Sequence, residues 1–311
     1  MNKSPKIKIF VAHHKPWYAY EDDVYVPIQV GKKNAKVDLW IIWDDTWDNI
    51  SEKNSSYAEL TAQYRVWKNY NLKDVDYVWF CHYRRYMTYC YKPSIFNYLF
   101  AKNFYSPLEG KWPFIWKIVA FKDHHCLTKY NKNVLIKNSL EIKNFIKNNE
   151  FDIYVPKMIL NIRAKLWSYL WKKSTGLITF GNANESAKNG LLMKECENLF
   201  YEIYPEQKKV KKNLDVKFQD YCWLWRHIFI MKKKLFFNYM EWMFTYLFEI
   251  EKMIKEKKLN INEHWAWKDD WRFMWIFSEP LINYWIDYME NKENIRVSYW
   301  SNILMFTDYY I

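Results

Sequence analysis

The chain has 311 residues, 50% of them hydrophobic, so it can bury a sizeable core as one large domain or two small ones. Lys plus Arg number 47 against 35 Asp plus Glu, a formal net charge of +12, which suits a phosphate-bearing ligand, an anionic membrane surface or nucleic acid. With only 5 Gly and no GxGxxG or GxxxxGK[ST] pattern, a glycine-rich phosphate loop is excluded, and phosphate would have to be held by side chains.

Lys6 to Ala12 reads as a first buried strand ending in His13-His14-Lys15-Pro16. In open α/β sheets ligands bind outside the carboxyl ends of the strands, so this tetrad is either a ligand-facing cluster or an ordinary polar turn. Adjacent His residues point to different sides, which disfavours a two-His metal site. Val37 to Trp43 reads as a second strand, followed by the polar loop Asp44 to Asn54. Asp44-x-Thr46, or Asp45 with Asp48, could offer oxygens to a divalent cation, and a solvated acidic loop accounts for the pattern equally well. Ser56-x-x-Glu59 has the form of a capping box, opening a helix with Tyr57, Leu60, Tyr64 and Trp67 on one face.

Tyr77 to Cys81 is a short, aromatic and β-branched run, as a central buried strand requires. It ends in His82-Tyr83-Arg84-Arg85-Tyr86. Arg binds phosphate oxygens as a planar fork, so His82, Arg84 and Arg85 are candidates for an anionic ligand; structural ion pairs are the alternative. Strands alternating with a helix imply a parallel sheet.

Further on, His124-His125-Cys126 has no second half at metal-ligand spacing. Leu140 to Asn148 reads as a short helix, and Phe151 to Pro156 as a strand stopped by its proline. Arg163 to Lys173 is basic and carries Trp167 and Trp171, which suits either a membrane interface or a packed helix. Glu185 to Tyr204 reads as an amphipathic helix and Ile228 to Met231 as a late strand. Phe236, Tyr239, Met240, Met243, Leu247, Ile250 and Ile254 mark the buried face of a long helix. Within Trp271 to Tyr288, Pro280 suits the first turn of a new helix capped by Ser278. No repeat or linker divides the chain, so one α/β domain over residues 1–311 is expected, with a helical C-terminal third. The five Cys (81, 90, 126, 196 and 222) show no CxxC spacing, which suits free thiols in a reducing cytoplasm. Neither a secretory leader nor an apolar run of about 18 residues is present, so no bilayer span is expected.

Several segments together resemble one bacterial family: KIKIFVAHHKP at the start, PIQVG at Pro27 to Gly31, DNISEKN at Asp48 to Asn54, ELTAQYRVWKN at Glu59 to Asn69 and DYVWFCHYRRY at Asp76 to Tyr86. Later blocks, FDIYVPK, IFIMKK and Ser278-Glu279, are also similar. The family is long catalogued as a domain of unknown function, occurs in capsular and exopolysaccharide gene clusters, and is treated as glycosyltransferases. It usually carries Gly where Trp47 stands.

The resemblance implies a GT-A-like, Rossmann-like fold with a mostly parallel sheet, a nucleotide-binding half over about 1–160 and an acceptor-side, helical part over about 161–311. It implies transfer of a sugar from a nucleotide-sugar donor to a growing surface glycan (capsule, lipopolysaccharide or exopolysaccharide), with a lipid-linked acceptor. Such a chain would sit in the cytoplasm against the anionic inner face of the membrane. Donor-binding residues would be His13, His14, Lys15, Asp48, Asn49, Ser51, Lys53, Asn54, His82, Arg84 and Arg85, with Glu279 as catalytic base. In that fold an Asp-x-Asp metal motif usually follows the strand occupied here by Tyr77 to Cys81. His82-Tyr83-Arg84-Arg85 stands in its place, so neither a divalent metal nor another cofactor is expected. A nucleic-acid-binding protein is disfavoured, because no such motif occurs and the Lys residues are scattered among acids. A non-catalytic scaffold of a glycan assembly complex is the remaining alternative.

Overall fold

The structure is a computed structural model that describes residues 5–83, 85–87, 123–127, 132–159, 191–210, 221–224, 229–259, 272–278, 281–300 and 302–306. Its strands are β1 (Ile7–His13), β2 (Tyr25–Gln29), β3 (Ile42–Trp43), β4 (Tyr77–His82), β5 (Arg85–Met87), β6 (Asp123–Leu127), β7 (Ile153–Ile159), β8 (Tyr221–Leu224), β9 (Phe229–Lys232), β10 (Val297–Trp300) and β11 (Asn302–Phe306). Its helices are α1 (Asn54–Tyr57), α2 (Leu60–Asn69), α3 (Lys132–Asn148), α4 (Leu191–Ile203), α5 (Lys233–Glu256), α6 (Phe273–Ser278) and α7 (Leu281–Glu293).

The main path of the sheet runs β10-β7-β9-β4-β1-β2-β3. Strands β4, β1, β2 and β3 are mutually parallel, β10 is parallel to β7, and β9 is antiparallel to both β4 and β7. The fold is thus α/β with a mostly parallel, mixed sheet.

Alternation along β1 explains the two layers. Phe10 and Ala12 face a core shared with α2, α4, α5, α6 and α7. Ile7, Ile9 and Val11 face a second core that α3 covers through Leu135, Ile142 and Ile146. The larger core joins residues from Phe10 to Met289, so both halves of the chain contribute to it. On α5 the apolar face read from periodicity is the buried one, from Phe236 through Ile250. Among the described residues no helix is long and apolar enough to cross a membrane.

Several local expectations are corrected. Pro27 sits inside β2, opposite Val11, in a segment whose strand character the sequence reading missed. The run Val37 to Trp43 yields only the two-residue β3, because Val37 and Trp40 are exposed and Trp40 has φ 57. Pro156 does not stop β7, which continues to Ile159; β9 pairs β7 only at Ile153 and Tyr154, so no ladder donor is required of Pro156 on that side. The capping box does not form: α1 ends at Tyr57, Ala58 takes φ 47, and Glu59 makes no side-chain cap to α2. Helix α3 begins at Lys132, well before Leu140. Ser278 is the last residue of α6, and its Oγ donates to the Trp275 carbonyl at 2.7 Å; the two residues that follow it, 279 and 280, lie outside the described residues. The chain also returns to the sheet after its helices, since β10 pairs with β7. The segment Arg163 to Lys173 lies outside the described residues.

Candidate functional site

Three parallel strands end side by side. Register aligns Ala12 of β1 with His82 of β4, and His13 of β1 with Gln29 of β2. The Tyr83 N–H donates to the Ala12 carbonyl at 3.1 Å, and the Val30 N–H donates to the His13 carbonyl at 2.8 Å, so pairing persists to the edge. The sheet thereby brings together His13, His14 and His82, placing Lys15 beside them as an exposed residue.

Their rings form one cluster around Tyr83. Its centroid lies 5.4 Å from His13, 5.3 Å from His14, 4.2 Å from His82 and 5.2 Å from Trp17, and His14 lies 5.7 Å from His82. His82 Nε2 stands 3.8 Å from Glu59 Oε1, at the start of α2. Glu59, freed from the capping role, faces the site instead.

His13 is 1% exposed, and neither ring nitrogen has a hydrogen-bond partner among the described residues. Burial, with a smaller contribution from His14, lowers its pKa to about 4. Its imidazole is therefore neutral at pH 7, with one nitrogen able to donate and the other to accept. Trp17 Nε1 is likewise buried and without a partner among the described residues.

Strand β4 turns back at once into β5, and Arg85 pairs antiparallel with His82 on one side and with Met305 of β11 on the other. Arg84 and Glu279 lie outside the described residues, and for Arg85 only the backbone is described.

The loop Asp44 to Asn54 is organised by a residue that sequence reasoning weighed as a metal ligand. Asp44 is fully buried. Its carboxylate accepts from the Gly31 N–H at 2.7 Å, the Lys32 N–H at 3.0 Å, Ser51 Oγ at 2.5 Å and Thr61 Oγ1 at 2.5 Å. Four protein donors occupy the carboxylate, joining the end of β2, the loop and α2. Its signal in the sequence was an acid directly after an apolar run, with hydroxyls at 51 and 61.

Other loop residues bond to the loop itself, to α2 or to α5. Asn49 Nδ2 donates to the Trp47 carbonyl at 2.7 Å, and its Oδ1 accepts from the Ser51 N–H at 3.1 Å. Asn54 Nδ2 donates to the Ala58 carbonyl at 2.8 Å and to Thr61 Oγ1 at 3.2 Å. Lys53 Nζ pairs with Glu251 of α5 at 2.5 Å. Asp48 accepts from Tyr64 Oη at 3.0 Å, and its carbonyl from Asn69 Nδ2 at 2.7 Å. Asn69 ends α2 whereas Glu59 precedes it, and ten residues of helix span about 15 Å. Asp48 thus lies towards the end of α2 remote from the histidine cluster. Trp47 takes φ 54, a left-handed backbone region that Gly adopts more readily than a bulky residue. Among the described residues no group of three or more His, Cys, Asp or Glu could hold a metal ion.

The parallel order of β4, β1, β2 and β3, with a polar cluster at their carboxyl ends, defines a GT-A-like, Rossmann-like α/β protein. Comparison with known proteins agrees. The chain belongs to the family described as Domain of unknown function (DUF4422), whose family model matches residues 8–292. The apo structure of WbbM, a bifunctional glycosyltransferase, superposes with a TM-score of 0.70 at 24% identity, over 97% of this chain. The chain spans 45% of that protein's length. No curated protein matches.

Proposed function

We propose that the protein is a glycosyltransferase that moves a sugar from a nucleotide-sugar donor to a growing surface glycan, with a lipid-linked acceptor. The observation that carries this reading is the His13–His14–His82–Tyr83 cluster at the carboxyl ends of parallel strands, in a fold similar to that of a glycosyltransferase. Ligands bind at that edge in open α/β sheets. Neutral His13, buried against Tyr83, supports the cluster from beneath, and His14, Lys15 and His82 face the diphosphate, joined by Arg84 and Arg85. Breaking the bond between the sugar and the diphosphate leaves negative charge on the leaving group, and cationic side chains stabilise it as a metal would. Glu279 takes the acceptor hydroxyl proton. Ser51, Asn54 and Lys53 act indirectly, by holding the loop in shape.

Thermal shift against a panel of nucleotide sugars, with and without Mn²⁺, tests the reading, since a ligand that binds the native state raises its melting temperature. At least one nucleotide sugar should stabilise the chain equally with and without the metal. Arg85→Ala should weaken binding of its nucleoside diphosphate by roughly 1.5–3 kcal/mol, the worth of a hydrogen bond to a charged group. A chain stabilised by no nucleotide sugar would leave the proposal without support.

A further inference from the structure

The connection from Lys32 to Trp43, between β2 and β3, carries a surface that the transfer chemistry does not use. Val37 is 50% exposed, Trp40 86% and Trp43 38%. The connection is held from beneath by Gln29, itself buried, whose Nε2 donates to the Val37 carbonyl at 2.8 Å and whose Oε1 accepts from the Leu39 N–H at 2.9 Å. Asp38 Oδ1 accepts from the Trp40 N–H at 2.8 Å and from Trp43 Nε1 at 3.3 Å. Lys32 Nζ pairs with Asp38 Oδ2 at 2.9 Å and lies 4.8 Å over the Trp43 ring. Trp40 is held at φ 57, which a bulky side chain avoids. Exposed aromatic surface and a disfavoured backbone are both costly, and outliers of this kind cluster where a segment has work to do.

Charge indicates what covers the surface. Lys33 and Lys36 are exposed, and neither is in an ion pair among the described residues. Asp38, the acid of the segment, is already matched by Lys32. Unpaired lysines next to exposed tryptophan and valine are the composition of a membrane-interface segment: indole rings suit the headgroup level and ammonium groups suit anionic lipid.

We propose that the β2–β3 connection is the surface through which the protein lies on an anionic bilayer. Trp40 and Val37 enter the headgroup region, and Lys33 and Lys36 face lipid phosphates. The contact follows from the connection itself and rests on the transferase reading only for its purpose, which is to hold the site against a lipid-borne acceptor. Gln29, which clamps the connection, pairs with His13, so the surface is anchored one strand from the histidine cluster.

Co-sedimentation with phosphatidylglycerol–phosphatidylcholine vesicles and with phosphatidylcholine vesicles tests the proposal. The full chain should bind the anionic vesicles, and release them as salt rises, because such attraction is screened within about 10 Å at 0.1 M. Lys33→Glu with Lys36→Glu should lower the partition about tenfold or more, from the contribution of each basic residue near the surface. Trp40→Asn should lower it severalfold, and because Asn tolerates the left-handed backbone the variant keeps its fold and melting temperature. Uridine diphosphate, followed by thermal shift, should act on both variants as on the parent. Parent-like vesicle binding by both variants would overturn the proposal, as would indifference of the parent to anionic vesicles at low salt, including the case in which Trp40 binds a soluble glycan instead. Failure on vesicles with nucleotide binding intact removes the membrane surface alone; vesicle binding by a chain that no nucleotide sugar of the panel stabilises removes the transferase reading alone.

Discussion

Replacing Asp44 with Ala removes the acceptor for four donors at once. A typical hydrogen bond contributes about 1 kcal/mol net, and a buried donor left unmade costs roughly 1–3 kcal/mol. The Thr61 hydroxyl can still reach the Ala58 carbonyl, 3.1 Å away, and Ser51 can rotate, so the two backbone N–H groups of Gly31 and Lys32 carry most of the penalty. The expected loss is about 3–4 kcal/mol, in the range of a broken buried network. At roughly 2 °C per kcal/mol for a chain of this size, the melting temperature should fall by about 6–8 °C. Asp44→Asn should be nearly as harmful despite its shape, because the amide turns two hydrogens towards donors. Asp45→Ala, on the same loop but outside the network, should stay within about 0.5 kcal/mol, as surface substitutions usually do. Urea and thermal unfolding of the three variants decide the matter. If Asp44→Ala melts within a degree of the parent, the carboxylate does not organise the loop, and a role for it in binding returns.

Gly31 has φ 65, and an added Cβ would lie 2.6 Å from Asn54 Oδ1 and 2.9 Å from Asn54 Cβ, so Gly31→Ala should cost more than the roughly 1–2 kcal/mol of the left-handed backbone alone, read from urea midpoints; Asn54→Ser in the same chain, which keeps that Cβ, should recover only a fraction of the steric part. Because His13 has a folded pKa of about 4 against 6.5 unfolded, the unfolded chain binds more protons between those values and stability falls as pH drops through that window. The loss should approach about 3 kcal/mol by pH 4 and be absent in His13→Gln, when both chains are unfolded in urea at pH 7 and pH 4.5. The Lys53–Glu251 pair is about a third exposed on each side, so a double-mutant cycle read by urea unfolding should give a coupling of about 1 kcal/mol or less.

Periodicity alone carried the sheet centre and the long helix. The runs Ile7 to Ala12 and Tyr77 to Cys81 are apolar because both of their faces are covered, and the period of the α5 stripe is that of one buried helix face. These are local consequences of burial, so they are written in contiguous residues. The clustering of His13, His14 and His82 was also foreseeable, since parallel strands must end at the same edge. What could not be read locally was pairing across distance. A capping-box pattern at Ser56 competed with a contact between Glu59 and His82, and tertiary geometry decided for the latter. An acidic loop looked equally like a solvated turn or a cation site until Gly31, Ser51 and Thr61 converged on Asp44 from three separate segments. Pro156 looked like the end of a strand, yet a proline breaks a ladder only where a neighbour needs its N–H, and only the order of strands in the sheet decides that. Composition and periodicity thus determined which segments are buried, whereas the partners of each buried polar group were decided by the packing of segments far apart in the chain.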